Sequence, residues 1–242
     1  MIATAPAAPS WFHQDPDHGP LPALLLVLTM VTGLVDAVSY MKLGHVFVAN
    51  MTGNIAFLGF AVADAKEFSV SATLAATGLF LVGALAGGWL GARAGRHRGR
   101  FLAGSIFIEI ALIATALSAL ALASDPEGST TRYQLIALLA LTMGVQNAVA
   151  RRLGVPDLST TVLTLTLTGL AADSRIVGGS NPRPVRRLAA TGTMFLGAAL
   201  GTFLILNASV GLVLALALAL LLSAAIAALR STPSTAAWTV GT

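Results

Sequence analysis

The sequence predicts an all-α polytopic membrane protein: six transmembrane helices as a 3+3 inverted repeat, with two further re-entrant or broken segments. Three observations carry that expectation. Of 242 residues, 56% are hydrophobic and only 10% charged, where a soluble domain carries about 25% charge, and mean hydropathy is +0.83. Long apolar runs such as 211–229 hold no charge, and they lack the polar/apolar alternation of a membrane β-barrel. The second half of the chain also repeats the first. This composition excludes an ordinary cytosolic enzyme and a disordered protein. The absence of cysteine excludes disulfides, Fe–S clusters and thiolate zinc.

The elements follow in order. Residues 1–20 hold no Lys or Arg and carry Pro6, Pro9, Pro16 and Pro20. They lack the basic start and apolar core of a signal peptide and read as a mobile tail. Eight apolar segments come next: A (21–41), B (45–63), C (69–92), D (101–123), E (134–150), F (155–172), G (188–206) and H (210–229). A, C, D, G and H approach the roughly 20 residues that cross hydrocarbon as a helix, and E is shorter. B carries Asn50, Thr52, Gly53 and Asn54 in its middle, and F carries Thr160, Thr161, Thr164, Thr166 and Thr168. Polar, Gly-broken backbone at membrane depth is tolerated where it is buried in protein or lines a wet cavity. The expected organisation is a first membrane repeat at 21–123, a linker loop at 124–133, a second repeat at 134–230 and a C-terminal tail at 231–242.

The repeat is read from matched positions. Leu74, Gly78, Gly83, Ala84 and Gly87 recur as Leu188, Gly192, Gly197, Ala198 and Gly201, at a constant offset of 114. Gly33, Asp36, Ala37 and Val38 recur as Gly144, Asn147, Ala148 and Val149 at an offset of 111. Leu43, Gly44 and Gly59 recur as Leu153, Gly154 and Gly169 at 110. Segments A-B-C-D therefore return as E-F-G-H, a duplication of the kind common in transporter folds.

Charge sets the expected topology. If all eight segments crossed, the 14 basic residues would divide evenly between the two sides. If B and F dip in and return, eleven fall on one side and only Lys42, Lys66 and Arg132 on the other. The positive-inside rule favours the second arrangement, with both termini cytoplasmic. Three crossings per repeat then invert one repeat relative to the other. A broken helix that crosses in two pieces is the competing form of B and F.

The stretches 31–40 (VTGLVDAVSY) and 44–54 (GHVFVANMTGN), with 144–147 (GVQN) and 160–164 (TTVLT) in the second half, resemble the YoaK-like family of small bacterial inner-membrane proteins. The resemblance runs from about residue 21 to 230. It implies six membrane segments in a bacterial inner membrane, and it implies no particular substrate.

Several residues could carry chemistry. Asp36 lies inside segment A, where an ionised carboxylate costs about 2.5–3.5 kcal/mol to insert, so it is expected to face an interior. Thr29, Thr32, Gly33, Asp36 and Tyr40 share one helical stripe, echoed in E by Thr142, Gln146 and Asn147. The stripe reads as the lining of a polar pathway, with Asp36 binding a proton or cation, or as hydrogen-bonded glue between helices. Asn50, Thr52 and Asn54 fall at the expected tip of B, and Thr160 and Thr164 at that of F. Two tips meeting around a ligand is one reading; Asn50 and Asn54 capping broken helix ends is the other. Glu109, inside D with no basic residue near it in sequence, is a candidate proton site, although its repeat counterpart is Ser223. The Gly83–Gly87–Gly91 and Gly197–Gly201 spacings are close-approach faces, for packing within the chain or for a homodimer.

The expected function is a secondary transporter or channel for a small polar or cationic solute, proton-linked through Asp36 or Glu109. The expected partners are the lipid bilayer and that solute or proton, with no nucleic acid, no cofactor and no metal. A membrane scaffold or accessory subunit without its own substrate is the alternative. No nucleophile–base pair suggests an enzyme.

Overall fold

The computed structural model describes residues 17–93, 97–161, 163–180, 183–231 and 237–239. Most of the two expected tails lies outside these residues. All eight apolar segments are helical: α1 (Leu21–Lys42), α2 (Met51–Val62), α3 (Val70–Arg93), α4 (Arg98–Leu122), α5 (Ser129–Leu153), α6 (Leu163–Ala172), α7 (Pro184–Asn207) and α8 (Val210–Ser231). Six are long and apolar enough to span a bilayer. The exceptions are α2, of 12 residues, and α6, of 10. At 1.5 Å per residue each is shorter than a hydrocarbon core of about 30 Å.

Local chemistry sets the boundaries. Pro22 and Pro184 sit in the first turns of α1 and α7, where no backbone N–H is required. Asn50 caps α2 by accepting from Gly53 N, and His97 Nδ1 caps α4 by accepting from Arg100 N. Gly154 ends α5 in the left-handed conformation at φ 61°, which costs glycine little.

The core is a ring of four helices. α4 packs on both α5 and α8, and α1 closes the ring against the same two. Outside it, α3 lies on α5 and α7 on α1, and the short α2 and α6 lie on α3 and α7. Every one of these pairs has its partner under the sequence repeat: α3–α5 answers α7–α1, α4–α5 answers α8–α1, and α2–α3 answers α6–α7.

The glycines show how close the match is. A Cβ on Gly33 would strike Met194 O, Ala198 N and Gly197 of α7. One on Gly144 would strike Phe80 O, Ala84 N and Gly83 of α3, the same three positions displaced by the repeat. Gly201 rests on Leu34 and Ala37, and Gly87 on Val145 and Ala148. Each long contact ascends both helices together, so α1 runs parallel to α7 and α3 parallel to α5. Close backbone approach without side chains is how helices associate where lipid is as apolar as leucine. The outer faces of α3 and α7 expose Leu81, Leu85, Trp89, Phe195, Leu196 and Phe203. In water this would be a liability; in a bilayer it matches the solvent.

Candidate functional site

The structure partners Asp36 locally. Its Oδ1 accepts the backbone N–H of Val48 at 3.2 Å and of Ala49 at 3.0 Å. It thus ties the end of α1 to the chain entering α2. Asn54, fully buried, finishes the same loop: its Oδ1 accepts from Phe47 N at 2.8 Å and its Nδ2 donates to Phe47 O at 2.6 Å. Asn50 and Thr52 are exposed, and Asn50 is the helix cap. His45 packs on the rings of Tyr40 and Phe68.

The second half uses the same places with different groups. Asn147 donates to Met143 O at 2.8 Å and accepts from the Thr161 hydroxyl. Thr160 is buried in a left-handed conformation at φ 61° with its hydroxyl unpartnered, and Thr164 is exposed. Arg187 of α7 holds α6 from outside. It pairs with Asp157 at 3.0 Å before the helix and with Asp173 at 2.8 Å after it, and its guanidinium lies over Gly169. The polar residues around α2 and α6 thus close on their own halves of the chain.

Besides the Thr160 hydroxyl and one Arg187 nitrogen, buried polar atoms without a partner lie on α4 and α5 of the four-helix ring. Glu109 is fully buried and neither carboxylate oxygen has a hydrogen-bond partner. Gln146, also fully buried, donates Nε2 to Thr32 Oγ1 at 2.7 Å and to Leu28 O at 3.4 Å, and its Oε1 is left without a donor. Counting outward from the turn between α4 and α5, Glu109 stands level with Thr142 and Ser105 level with Gln146. The two levels are about 6 Å apart. The buried hydroxyls here spend their protons on their own helices: Thr29 on Leu25 O, Thr32 on Leu28 O, Ser105 on Leu102 O and Thr142 on Leu138 O. What they keep are lone pairs. The free polar atoms of this column are therefore acceptors, a setting that suits a proton or a cation and repels an anion.

The two ends of the ring differ. At one end a cavity of about 620 Å³ opens among Lys42, Leu120, Glu127, Arg132, Leu135 and Ile205. Leu135 on its wall is about 10 Å along α5 from Thr142. At the other end the repeat-equivalents of Arg132 and Leu135 are Leu21 and Leu24, both buried. That end is closed. Arg98 donates to Asp17 O at 3.3 Å, Trp238 O at 3.5 Å and Leu153 O, and contacts His18 Nδ1 at 3.3 Å. The Trp238 ring lies over Gly19 and Gly99.

Residues 24–229 match the family described as "Protein of unknown function (DUF1275)". The chain belongs to this family. It is also 35% identical over 150 residues, covering 62% of this chain and 65% of the relative, to the UPF0700 transmembrane protein YoaK of Bacillus subtilis (strain 168). The chain thus spans just under two thirds of that curated relative's length. No solved structure matches it. The YoaK-like resemblance is shown, and with it an integral, multi-pass membrane protein.

For this family member the sequence singled out Asp36, Glu109 and Gln146, all buried in the structure, but it could not tell that Asp36 is satisfied while Glu109 is not. It missed Arg98 and Trp238, which meet across 140 residues of chain, and Arg187 with Asp157 and Asp173. The one available signal for Arg187 was an arginine at the repeat position of Thr73, beside a glycine on α6.

Proposed function

We propose that the chain is a secondary transporter or channel for a small polar solute, coupled to a proton held at Glu109, in the bacterial cytoplasmic membrane. The supporting observation is that Glu109 of α4 and Gln146 of α5, two helices that pack together, are both fully buried and carry oxygens without a hydrogen-bond partner. A bare carboxylate in that setting costs several kcal/mol, and a proton or cation removes the cost. Glu109 exchanges its proton with the open cavity in one state, and with the opposite side when the Arg98–Trp238 closure parts.

The matched glycine contacts and the parallel α1–α7 and α3–α5 pairs support an inverted repeat, in which such an exchange between two faces is the natural motion. The charge distribution supports a cytoplasmic location for the closed end and both termini. In liposomes bearing a pH gradient, the purified protein should move protons when a small polar solute from a broad panel is supplied. Glu109→Gln should abolish this, and Ser223→Ala at the repeat-equivalent, exposed position should not. Absence of wild-type flux above the Glu109→Gln level overturns this assignment and leaves a scaffold or accessory subunit.

A further inference from the structure

A second cavity, of about 720 Å³, lies on the membrane flank between α3 and α5. Phe80, Ala84 and Gly88 form its apolar wall, and Arg151, Arg152 and Ser159 stand at its end. The trough results from the tight crossing beside it. Gly83 and Gly87 draw the α3 backbone onto α5, and the next small residues on α3 leave a furrow, in which the Cβ position of Gly88 meets nothing within 4 Å. The neighbouring Leu81, Leu85 and Trp89 are exposed, so the furrow opens toward lipid.

The furrow also carries unopposed charge. Neither Arg151 nor Arg152 has an acidic partner among the described residues, and no acid lines the cavity. Asp157, the acid of the adjoining loop, is taken by Arg183 and Arg187 at 3.0 Å each. The Arg152 stem lies over Gly91, where a Cβ would strike it. The height is that of an interface: one turn beyond Gly88, Arg93 stacks on Trp89 at 3.8 Å, the kind of aromatic–cation pair that sits at headgroup level.

The repeat supplies an internal control. At the offset of 114 the open Gly88 of α3 corresponds to Thr202 of α7, so the shared fold does not require the open floor.

We propose that this furrow binds one anionic phospholipid, its phosphate held by Arg151 and Arg152 and an acyl chain lying along Phe80, Ala84 and Gly88. Guanidinium groups match phosphate oxygens in charge and in fork geometry, and basic pockets between membrane helices select anionic headgroups. Binding there bears on the α5–α6 connection, because Ser159 and Asn147 share the cavity.

The test measures lipid retained by the purified full-length protein after exchange into mixed micelles of phosphatidylglycerol and phosphatidylcholine. Wild type should retain phosphatidylglycerol at least fivefold over phosphatidylcholine. The double variant Arg151→Gln/Arg152→Gln should lose that preference. Gly88→Leu, which keeps both charges and fills open space, should lower total retained lipid while the protein stays monodisperse. Millimolar inorganic phosphate should not compete. Equal selectivity in the double variant, unchanged retention in Gly88→Leu, or displacement by inorganic phosphate would each overturn the proposal, the last by making the site one for free anions.

Discussion

Gln146 donates to Thr32 across 2.7 Å, and its own carboxamide oxygen then faces the protein interior with no donor. That single bond fixes the polarity of the column between α1 and α5. It consumes the available amide protons and leaves oxygen. One turn away Glu109 adds two more unpartnered oxygens. An interior made of glue would pair these groups with one another, because a buried unmet acceptor costs about 1–3 kcal/mol.

Asp36 has a structural assignment that a conservative pair of substitutions separates from transport. Asp36→Asn keeps the oxygen that accepts from Val48 and Ala49 and removes a charge, so membrane abundance and thermal stability should stay near wild type. Asp36→Leu strands two buried N–H groups and should cost about 2–6 kcal/mol, seen as a large fall in the apparent melting temperature in detergent. If Asp36→Asn keeps normal abundance but loses all flux, the carboxylate does more than hold the α1–α2 connection.

The glycines divide into two kinds. Gly144 meets backbone atoms of α3 on every side of its missing Cβ, whereas Gly88 meets nothing. Gly144→Val must force α3 and α5 apart and should abolish accumulation of folded protein. Gly88→Ala should be neutral within about 0.5 kcal/mol. Monodispersity and yield after extraction distinguish the two.

The closed end depends on Arg98 and Trp238. Arg98→Gln and Trp238→Ala should each open it and raise proton leak through liposomes at least severalfold, while Glu109→Gln in the same background should suppress the leak. Leak unchanged from wild type would show that the end is closed by something other than these contacts.

Arg187 is the staple of α6. Arg187→Met leaves Asp157 and Asp173 without their shared cation and should speed amide hydrogen exchange in Leu163–Ala172 selectively. Exchange in α2, which has no equivalent ion pairs, serves as the reference and should not change.

Topology reporters test the placement of the ends. Fusions after Arg98, after Arg152 and at the C-terminus should read cytoplasmic, and fusions near Lys66 and Glu127 should read external. A fusion near Lys66 reading cytoplasmic would mean that α2 crosses and the repeats are parallel.

By itself the sequence determined the number and approximate limits of the membrane segments, and it marked the glycine faces that prove to be close approaches. These are properties of local composition. Transfer of about 20 apolar residues into lipid is nearly additive, and a repeated glycine spacing records a helix surface without reference to its partner. The tertiary structure alone decided which polar residues are spent and which are free. Asp36 and Glu109 look alike along the chain, each a lone acid in an apolar helix. One meets two backbone amides 12 and 13 residues further on, and the other meets none. Likewise nothing local brings Trp238 to Arg98 across 140 residues, and so nothing local shows that one end of a repeated fold is open and the other shut. A hydrogen-bond partner is supplied by three-dimensional neighbours, and no periodicity along the chain encodes it.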